Sequence, residues 1–227
     1  MFGFGRKKNE KLQVDEKRIH RIVDFTCISP VLTKKELERA MCVAYKNKYY
    51  SIVVNPINVS QARAYIDYKL KSVIKLVSVI GFPLGETPTE VKLFEIKKAI
   101  NDGADELDVM IPVSRIRMGD YAYIKSEISR VMKASKRRVV KIIAETANLN
   151  RTELNKLCAI CAKLKVNYIQ TSTGFASGGA SIEDVELMLS ASGRKCEVKA
   201  SGGIENRNQA IILLRAGATR IGTSREI

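Results

Sequence analysis

The feature that most constrains the fold is an eightfold alternation of short apolar runs with longer segments of helical periodicity. Runs rich in β-branched residues predict strands at 22–26, 50–56, 76–83, 106–112, 139–146, 166–172, 196–201 and 219–224. Between them lie seven amphipathic segments with the apolar spacing of helices. Strands that are apolar on both faces and joined by helices form parallel sheets. Eight such units in 227 residues predict a closed (β/α)8 TIM barrel rather than an open sheet.

Both ends of this repeat depart from the pattern. A basic N-terminal extension, residues 1–18, precedes the first strand, and a helix is predicted at about 10–20. The chain stops three residues after Ser224, so the usual last outer helix is predicted to be missing or truncated. We therefore expect a single barrel domain spanning 1–227. Part of its wall would be bare or covered by a neighbouring subunit.

The chain is strongly basic, with 39 Lys and Arg against 24 Asp and Glu and a net charge of +15. Such a charge indicates an anionic partner or, alternatively, solvated helix faces. The cations are widely spread, and the dense clusters are Arg6-Lys7-Lys8 and 136–138. Neither cluster is accompanied by interleaved aromatic residues or zinc-ligand spacing. Nucleic-acid binding is therefore not expected to be the main function.

The cysteines and the apolar runs bear on location and on metal binding. The five cysteines are an odd number, which favours reduced thiols and a cytoplasmic protein. Cys158 and Cys161 form a CxxC within an amphipathic helix, and no second ligand pair accompanies them, which favours core packing over a metal site. No apolar run approaches the ~20 residues that span a bilayer, and no secretory signal is recognisable. We expect no metal, no cofactor and no membrane contact.

Polar residues mark the carboxyl ends of the predicted strands, where barrels of this class carry their chemistry. They are Asp24, Asn55, Asp108, Lys141, Glu145, Gln170 and Lys199. Inward charged side chains are costly unless paired, so Asp108, Lys141 and Lys199 together predict a polar cavity. Asp24 taken alone could equally bond local backbone. An acid–lysine cluster of this kind suits proton transfer next to a carbonyl group.

Small residues after the last three strands predict a phosphate site. Backbone N–H groups of the loops after strands seven and eight are the usual phosphate cradle of this fold. KASGGIE places two glycines after strand seven, RIGTSRE follows strand eight, and TSTG follows strand six. The predicted phosphate-binding residues are Thr173, Gly174, Gly202, Gly203, Gly222, Ser224 and Arg225.

With these residues assembled, the chain resembles the deoxyribose-phosphate aldolase family. The segments that carry the resemblance stand in family order between about residues 19 and 224: VDFTCISPVLT, SIVVNPINV, VIGFPLGETPTEVKLFEIKKAINDGADELDVMIP, MGDYAYIKSEI, VKIIAET, YIQTSTGF, VKASGGI and GATRIGTS. The resemblance implies a class I aldolase on a (β/α)8 barrel that uses no metal. It implies reversible cleavage of 2-deoxyribose 5-phosphate to glyceraldehyde 3-phosphate and acetaldehyde. It also implies a homo-oligomer, often a dimer.

The resemblance assigns roles to four positions. Asp108 corresponds to the proton-relaying aspartate, Lys199 to the second lysine, and Lys141 to the lysine of strand five. The family's Schiff-base lysine lies directly before TSTG, where this chain has Gln170. An amide nitrogen is not an amine nucleophile, so Gln170 is expected to abolish imine formation.

Further departures lie nearby, and several functions stay open. Phe25 stands where the family has histidine, Val53 where cysteine is common, Glu205 where a basic residue follows GGI, and Arg225 where a serine follows GTS. The first function is a catalytically impaired aldolase-family barrel that binds a sugar phosphate or another anion. The second is an active aldolase with Lys199 as nucleophile. The third is a different lyase or isomerase, and the fourth is an anion- or nucleic-acid-binding protein.

Overall fold

The barrel expected from the alternation is present. A computed structural model describes residues 16–227, with side chains described from residue 19 onward. Eight parallel strands close into a barrel in chain order. They are β1 Val23–Cys27, β2 Ser51–Val54, β3 Lys75–Ile80, β4 Glu106–Met110, β5 Val139–Ile143, β6 Tyr168–Gln170, β7 Glu197–Ser201 and β8 Arg220–Thr223. The predicted (β/α)8 TIM barrel is thus confirmed.

Helices connect the strands on the outside of the barrel. Within the described residues they are α1 Lys34–Lys46, α2 Val59–Ala64, α3 Thr89–Asn101, α4 Val113–Arg117, α5 Tyr121–Ala134, α6 Arg151–Lys163, α7 Ile182–Ala191 and α8 Arg207–Ala216. A π-helical segment, Tyr65–Leu70, continues α2, and short 3₁₀ helices lie at Glu16–Ile22, Pro56–Asn58 and Thr146–Asn148. No helix follows β8 within residues 16–227. Of the helix predicted at 10–20, residues 10–15 lie outside the described part of the chain.

Local capping signals fix where several helices begin. Thr33 and Glu36 form a capping box at the start of α1, Asn150 forms one with Glu153 at α6, and Asn206 forms one with Gln209 at α8. In each box, the cap side chain accepts from a backbone N–H that would otherwise lack a partner. These starts lie next to the carboxyl ends of the strands. They therefore fix the residues at which the loops of the site end and the helices begin.

Several boundaries of the predicted elements are wrong. The predicted strands 50–56, 76–83, 106–112, 139–146 and 166–172 run two or three residues past the observed ends, which are Val54, Ile80, Met110, Ile143 and Gln170. Apolar or small residues continue there, but Glu145 turns the backbone into the left-handed region with a φ of 52°. The short helix α4 was not predicted, because five residues are too few to show a helical period.

The apolar core is divided by the barrel wall. The main core lies between the strands and the helices, and it includes the CxxC cysteines, Cys158 and Cys161, which are fully buried. Inside the barrel, Val53, Val77 and Val79 of β2 and β3 form a separate apolar cluster. Strands β1, β4, β5, β7 and β8 turn charged side chains inward. Among the described helices, none combines the length and apolarity needed to cross a membrane.

One buried ion pair joins two outer helices. Lys92 of α3 places its Nζ 2.8 Å from Oε1 of Glu127 of α5, and both side chains are fully buried. The Thr89 hydroxyl donates to the other carboxylate oxygen at 2.8 Å. Burial lowers the pKa of Lys92, and the carboxylate of Glu127 opposes that shift. The pair therefore depends on both partners being present.

We expect Glu127→Leu to lower the free energy of unfolding by about 3–5 kcal/mol, because it leaves a buried, unpaired ammonium. The double variant Lys92→Met/Glu127→Leu should recover most of that loss, since no buried charge remains. Urea denaturation measures both. The matched control is Glu90→Leu, whose carboxylate pairs with Arg130 on the surface and should change stability by about 0.5 kcal/mol or less. A double variant no more stable than Glu127→Leu would contradict the argument.

Candidate active site

Six charged side chains form one buried cluster inside the barrel. They are Asp24 of β1, Glu106 and Asp108 of β4, Lys141 of β5, Lys199 of β7 and Arg220 of β8. We call this set the charged cluster. Its three carboxylates balance its three cations, so the cluster is neutral as a whole. A buried set of charges is tolerated when each member is paired in this way.

Asp108 lies between the two lysines of the cluster. Its Oδ1 is 2.7 Å from Nζ of Lys141, and its Oδ2 is 2.6 Å from Nζ of Lys199. Asp24 lies 2.8 Å from Lys199 and 3.6 Å from Lys141. Glu106 lies 2.7 Å from Lys141. Each lysine therefore faces at least two carboxylates.

Arg220 ends the cluster at the N-terminal face of the barrel, the face at which the strands begin. Its guanidinium lies 2.9 Å from Asp24 and 3.2 Å from Glu106. It stacks 3.8 Å from the ring centre of Tyr50 and 5.1 Å from that of Tyr168. Cation–π stacking of this kind suits a planar guanidinium. The arginine thus holds the carboxylates of two strands, β1 and β4.

Glu106, Arg220 and the two tyrosines were not predicted from the sequence. A signal for Glu106 was present, because Glu106 and Asp108 are two residues apart on one strand and so share a face. Arg220 stands in the run TRIGT, where a charged residue in an otherwise small and apolar strand also called for a partner. Both signals depend on knowing which strands meet inside the barrel.

The charges of the cluster shift the pKa values of its members. Burial by itself would raise the pKa of Asp24, but Lys199, Lys141 and Arg220 together hold it well below its usual range. Burial by itself would lower the pKa of Lys141, but Asp108, Asp24 and Glu106 raise it above its ordinary value. Asp24 is therefore a carboxylate and Lys141 an ammonium at neutral pH. Neither residue is poised to exchange a proton there.

A cavity of about 450 Å³ lies above the charged cluster, at the carboxyl ends of the strands. Asp108, Lys199 and Gln170 line it. Asp24 and Lys141, which the sequence placed at the mouth with them, do not line it. Both side chains are fully buried in the barrel interior, outside the lining of the cavity.

Gln170 occupies the end of β6, where it lies in register with Lys199 of β7. Its Nε2 donates to the backbone oxygen of Ser172 at 3.3 Å. Its Oε1 is buried and accepts no hydrogen bond from the described residues. A buried acceptor without a partner costs free energy, and a ligand that donates a hydrogen bond there would remove this cost.

The glycine loops above the cavity have the backbone freedom that a phosphate cradle needs. Gly174, Gly202 and Gly203 have φ values of 84°, 89° and 72° and line the cavity. The amides of Gly174 and Gly203 donate to no acceptor within the described residues. A side chain at Gly202 would meet Ser172, with a Cβ–Cβ distance of 2.9 Å, so the two loops pack closely. Successive N–H groups in such turns favour anions.

The remaining predicted phosphate residues are spread around the same cavity. Thr173, Ser224 and Arg225 line it, and so does Glu205, whose charge opposes that of a phosphate. Gly222 lies within β8, where an added Cβ would come 2.9 Å from Cε of Lys199. Gly222 therefore provides room for the lysine.

Two other strand-end residues hold loops of the mouth. Glu145 accepts hydrogen bonds from the backbone N–H and the hydroxyl of Thr173, and its backbone is in the left-handed region. Asn55 donates to the backbone oxygen of Ile28 at 3.1 Å. Across the mouth, Phe82 and Phe175 pack edge to face with 5.4 Å between ring centres. The mouth thus combines a polar floor with an aromatic edge.

The arrangement defines a class of site. It has a buried ammonium, a carboxylate and glycine loops around one cavity at the mouth of an eight-stranded barrel, which suits a small phosphorylated carbonyl compound. Among residues 16–227, no group of three or more His, Cys, Asp or Glu side chains is arranged to hold a metal ion.

Comparison with known proteins identifies the family. No family model matches the chain. A deoxyribose-phosphate aldolase of Thermococcus gammatolerans is 44% identical over 208 residues, which cover 91% of this chain and 92% of the relative. A deoxyribose-phosphate aldolase of Clostridium botulinum strain Okra is 40% identical over 207 residues, which cover 91% of this chain and 96% of the relative.

Solved structures agree. An aldolase designated QR15 superposes with a TM-score of 0.86 at 36% identity, covering 91% of each chain. A tetrameric deoxyribose-phosphate aldolase of Aeropyrum pernix superposes with a TM-score of 0.83 at 32% identity, covering 92% of this chain and 88% of that one. The chain belongs to the deoxyribose-phosphate aldolase family.

The charged cluster makes stability depend on pH. Because the pKa of Asp24 is lowered in the folded state, the unfolded state binds more protons in acid. The stabilisation by this carboxylate is therefore full above the unfolded-state pKa of about 3.9 and is lost as the pH falls below it. We expect Asp24→Asn to lower the free energy of unfolding at pH 7 by about 3–5 kcal/mol.

Urea denaturation at a series of pH values tests this. The gap between the wild type and Asp24→Asn should narrow as the pH falls below about 4. The control is Asp67→Asn, whose half-exposed carboxylate pairs with Arg63 and should give a small, nearly pH-independent change. Stability curves of the wild type and Asp24→Asn that run parallel at every pH would rule out the assigned role.

Proposed function

We propose that this protein is a deoxyribose-phosphate aldolase-family barrel that binds a phosphorylated sugar but lacks the family's Schiff-base step. The observation that carries the proposal is Gln170 at the end of β6, beside Lys199 and facing the cavity. The sequence resemblance aligns this position with the Schiff-base lysine. Imine formation joins an amine nitrogen to the substrate carbonyl carbon with loss of water. The glutamine amide has no free electron pair for that bond.

Lys199 is the other candidate nucleophile, because its side chain also lines the cavity. Its Nζ, however, lies 2.6 Å from Asp108 and 2.8 Å from Asp24. An ammonium held by two carboxylates must lose a proton and both ion pairs before it can attack a carbonyl carbon. This supports the impaired function over an aldolase that uses Lys199.

Lys141 is a still poorer candidate. It is fully buried below the cavity, and Asp108, Asp24 and Glu106 raise its pKa against the effect of burial. In this proposal, Lys141 and Lys199 hold Asp108 at the cavity floor as a charged acceptor. The hydroxyl and carbonyl groups of the ligand then lie against polar side chains that are fixed in position and include no nucleophile.

Binding of the phosphate is assigned to the loops after β6, β7 and β8. The free amides of Gly174 and Gly203 provide donors, and Arg225 provides a cation at the same cavity. Glu205 lies on the same wall and weakens the attraction for a phosphate dianion. We therefore propose an affinity for sugar phosphates that is present but modest.

A homo-oligomer remains part of the proposal. The deoxyribose-phosphate aldolase of Aeropyrum pernix, which this chain resembles in structure, is described as tetrameric. Measurement of the molecular mass in solution gives the number of subunits.

The first test restores the missing amine. The wild type should show no aldol cleavage of 2-deoxyribose 5-phosphate in a coupled assay. Gln170→Lys should raise cleavage by at least about 100-fold over the wild type, because the barrel keeps Asp108 and Lys199 in place around the new amine. The nearby Lys199 ammonium would also lower the pKa of the new amine and so keep it nucleophilic.

Two variants control this experiment. In Gln170→Met the new side chain has a similar length and no nitrogen, so this variant should show no cleavage of 2-deoxyribose 5-phosphate. Borohydride reduction with acetaldehyde should attach an ethyl group to Gln170→Lys and leave the wild type unmodified. If the wild type cleaves the substrate and Lys199→Met abolishes that cleavage, then Lys199 is the nucleophile and the proposal is wrong.

The second test measures binding without turnover. Deoxyribose 5-phosphate should raise the melting temperature of the wild type, while free deoxyribose should not, since the phosphate contacts supply most of the affinity. Arg225→Ala should reduce the shift by removing the cation at the cavity, and Glu205→Gln should increase it by removing a repulsive charge. Lys35→Ala, an exposed lysine on α1 outside the cavity lining, is the control. If the shift in melting temperature is the same in Arg225→Ala and Glu205→Gln as in the wild type, the phosphate does not bind at this cavity.

A further inference from the structure

The turns that lead from a helix into the next strand concentrate the positive charge of the protein. They lie at the N-terminal face of the barrel and comprise 47–50, 71–74, 102–105, 135–138, 164–167, 192–196 and 217–219. They hold eight basic residues, namely Lys48, Lys71, Lys136, Arg137, Arg138, Lys165, Arg194 and Lys195. Their two acidic residues are Asp102 and Asp105, and both are already paired with cations. These turns therefore carry a net charge of +6.

The loops at the mouth have the opposite balance. They comprise 28–33, 55–58, 81–88, 111–120, 144–150, 171–181, 202–206 and 224–227. Three basic residues stand in them against five acidic ones, namely Arg115, Arg117 and Arg225 against Glu86, Asp120, Glu145, Glu205 and Glu226. A sugar phosphate enters at the mouth, so the charge of the N-terminal face does not serve that ligand.

The backbone at these turns points to selection for charge. Six of the eight basic residues have left-handed φ values between 48° and 67°, namely Lys48, Lys71, Lys136, Arg137, Lys165 and Arg194. Glycine is favoured at such positions after a helix, because a Cβ is strained there. Attraction to the helix dipole explains cations in the last helical turn, but α1, α3, α5 and α6 already carry a lysine there. The helix dipole therefore does not account for the basic residues of the turns.

A depression of about 1000 Å³ opens in the middle of this face, between the turns before β6 and β7. Lys163, Lys165, Arg194 and Lys195 are exposed along its lining and form no ion pair within residues 16–227. One acidic residue, Glu197, also lines it, where it accepts from the Thr219 hydroxyl. Arg220 closes the floor, with its own charge neutralised by Asp24 and Glu106. The depression is thus a recess with a cationic rim.

We propose that the N-terminal face of the barrel binds the phosphate backbone of a nucleic acid. Its cations are distributed over five turns around the barrel, so they match a ligand with several phosphates better than a single small anion. Tyr68, which is 78% exposed near Lys71, can stack on a base. No groove that reads base edges is present among the described residues, so the binding is independent of base sequence.

Other polyanionic partners fit the face less well. A flat anionic bilayer reaches the rim but not the walls of the recess formed by Tyr50 and Tyr168. A second copy of the chain would bring two faces of net charge +6 together, and like charges repel. A flexible strand can enter the recess while its neighbouring phosphates contact the surrounding turns.

The test is fluorescence anisotropy of a labelled oligonucleotide of about 20 nucleotides, single- and double-stranded, titrated with the full chain over a range of salt concentrations. We expect a Kd of about 10⁻⁶–10⁻⁴ M near physiological salt, independent of base sequence and falling as salt is removed. The triple variant Lys165→Glu/Arg194→Glu/Lys195→Glu should weaken binding about tenfold or more. It should also reduce the slope of log K against log salt by about 3.

The matched control reverses three exposed cations on the opposite side, Lys35→Glu/Arg117→Glu/Lys125→Glu. Its net charge equals that of the triple variant, so a local site predicts near wild-type binding for the control. A second pair of changes, Lys165→Gly/Arg194→Gly, removes two cations and relieves two left-handed φ values. It should keep or raise the melting temperature while weakening binding, a combination that a purely structural role for these residues does not produce.

Three results would overturn the proposal. The first is equal loss of binding in the triple variant and its control, which would reduce the effect to net charge. The second is absence of binding to either oligonucleotide at low salt. The third is tighter binding to phosphatidylserine vesicles or to polyglutamate than to the oligonucleotides at the same salt. Each is separate from the sugar-phosphate assays, because none of the substituted residues lines that cavity.

Discussion

The position of Asp108 between two lysines is the constraint on which the inside of this barrel depends. One carboxylate holds the ammonium groups of β5 and β7, and Asp24 and Glu106 complete their neutralisation. Removing any member leaves a buried charge without a partner, which costs more than the pair contributes. The charged cluster therefore links strands on opposite sides of the barrel, and its neutrality is what allows it to be buried.

That neutrality also bears on the proposed loss of a nucleophile. A glutamine at the end of β6 adds no charge to the cluster, so the barrel keeps its cavity, its glycine loops and its paired lysines. In the function that we propose, the chemistry at the end of β6 is what differs from the family, and the barrel binds a sugar phosphate without reacting with it. In the two proposals taken together, the two ends of the barrel bind different anions.

Much of the fold followed from residues close together in the chain. The eightfold alternation predicted the barrel, and capping residues such as Thr33 and Asn206 mark helix starts. Strand ends were less predictable, since apolar residues continue into the buried loops of the mouth. Asp108, Gln170 and Lys199 were placed at the cavity, but Asp24 and Lys141 lie beneath it. Depth along a strand depends on barrel stagger, which no local pattern reveals.

The sequence by itself determined the architecture, the family and the residue at the end of β6, Gln170, because the period of the apolar runs, their order and the residue identities are properties of the chain. Tertiary structure alone decided which charges meet. Glu106 and Arg220 entered the cluster only when β4 and β8 closed around the same interior. The cations, too, looked dispersed along the chain, yet folding gathers eight of them in the turns of one face. In a barrel every helix-to-strand turn returns to the same end, so distant residues become neighbours there.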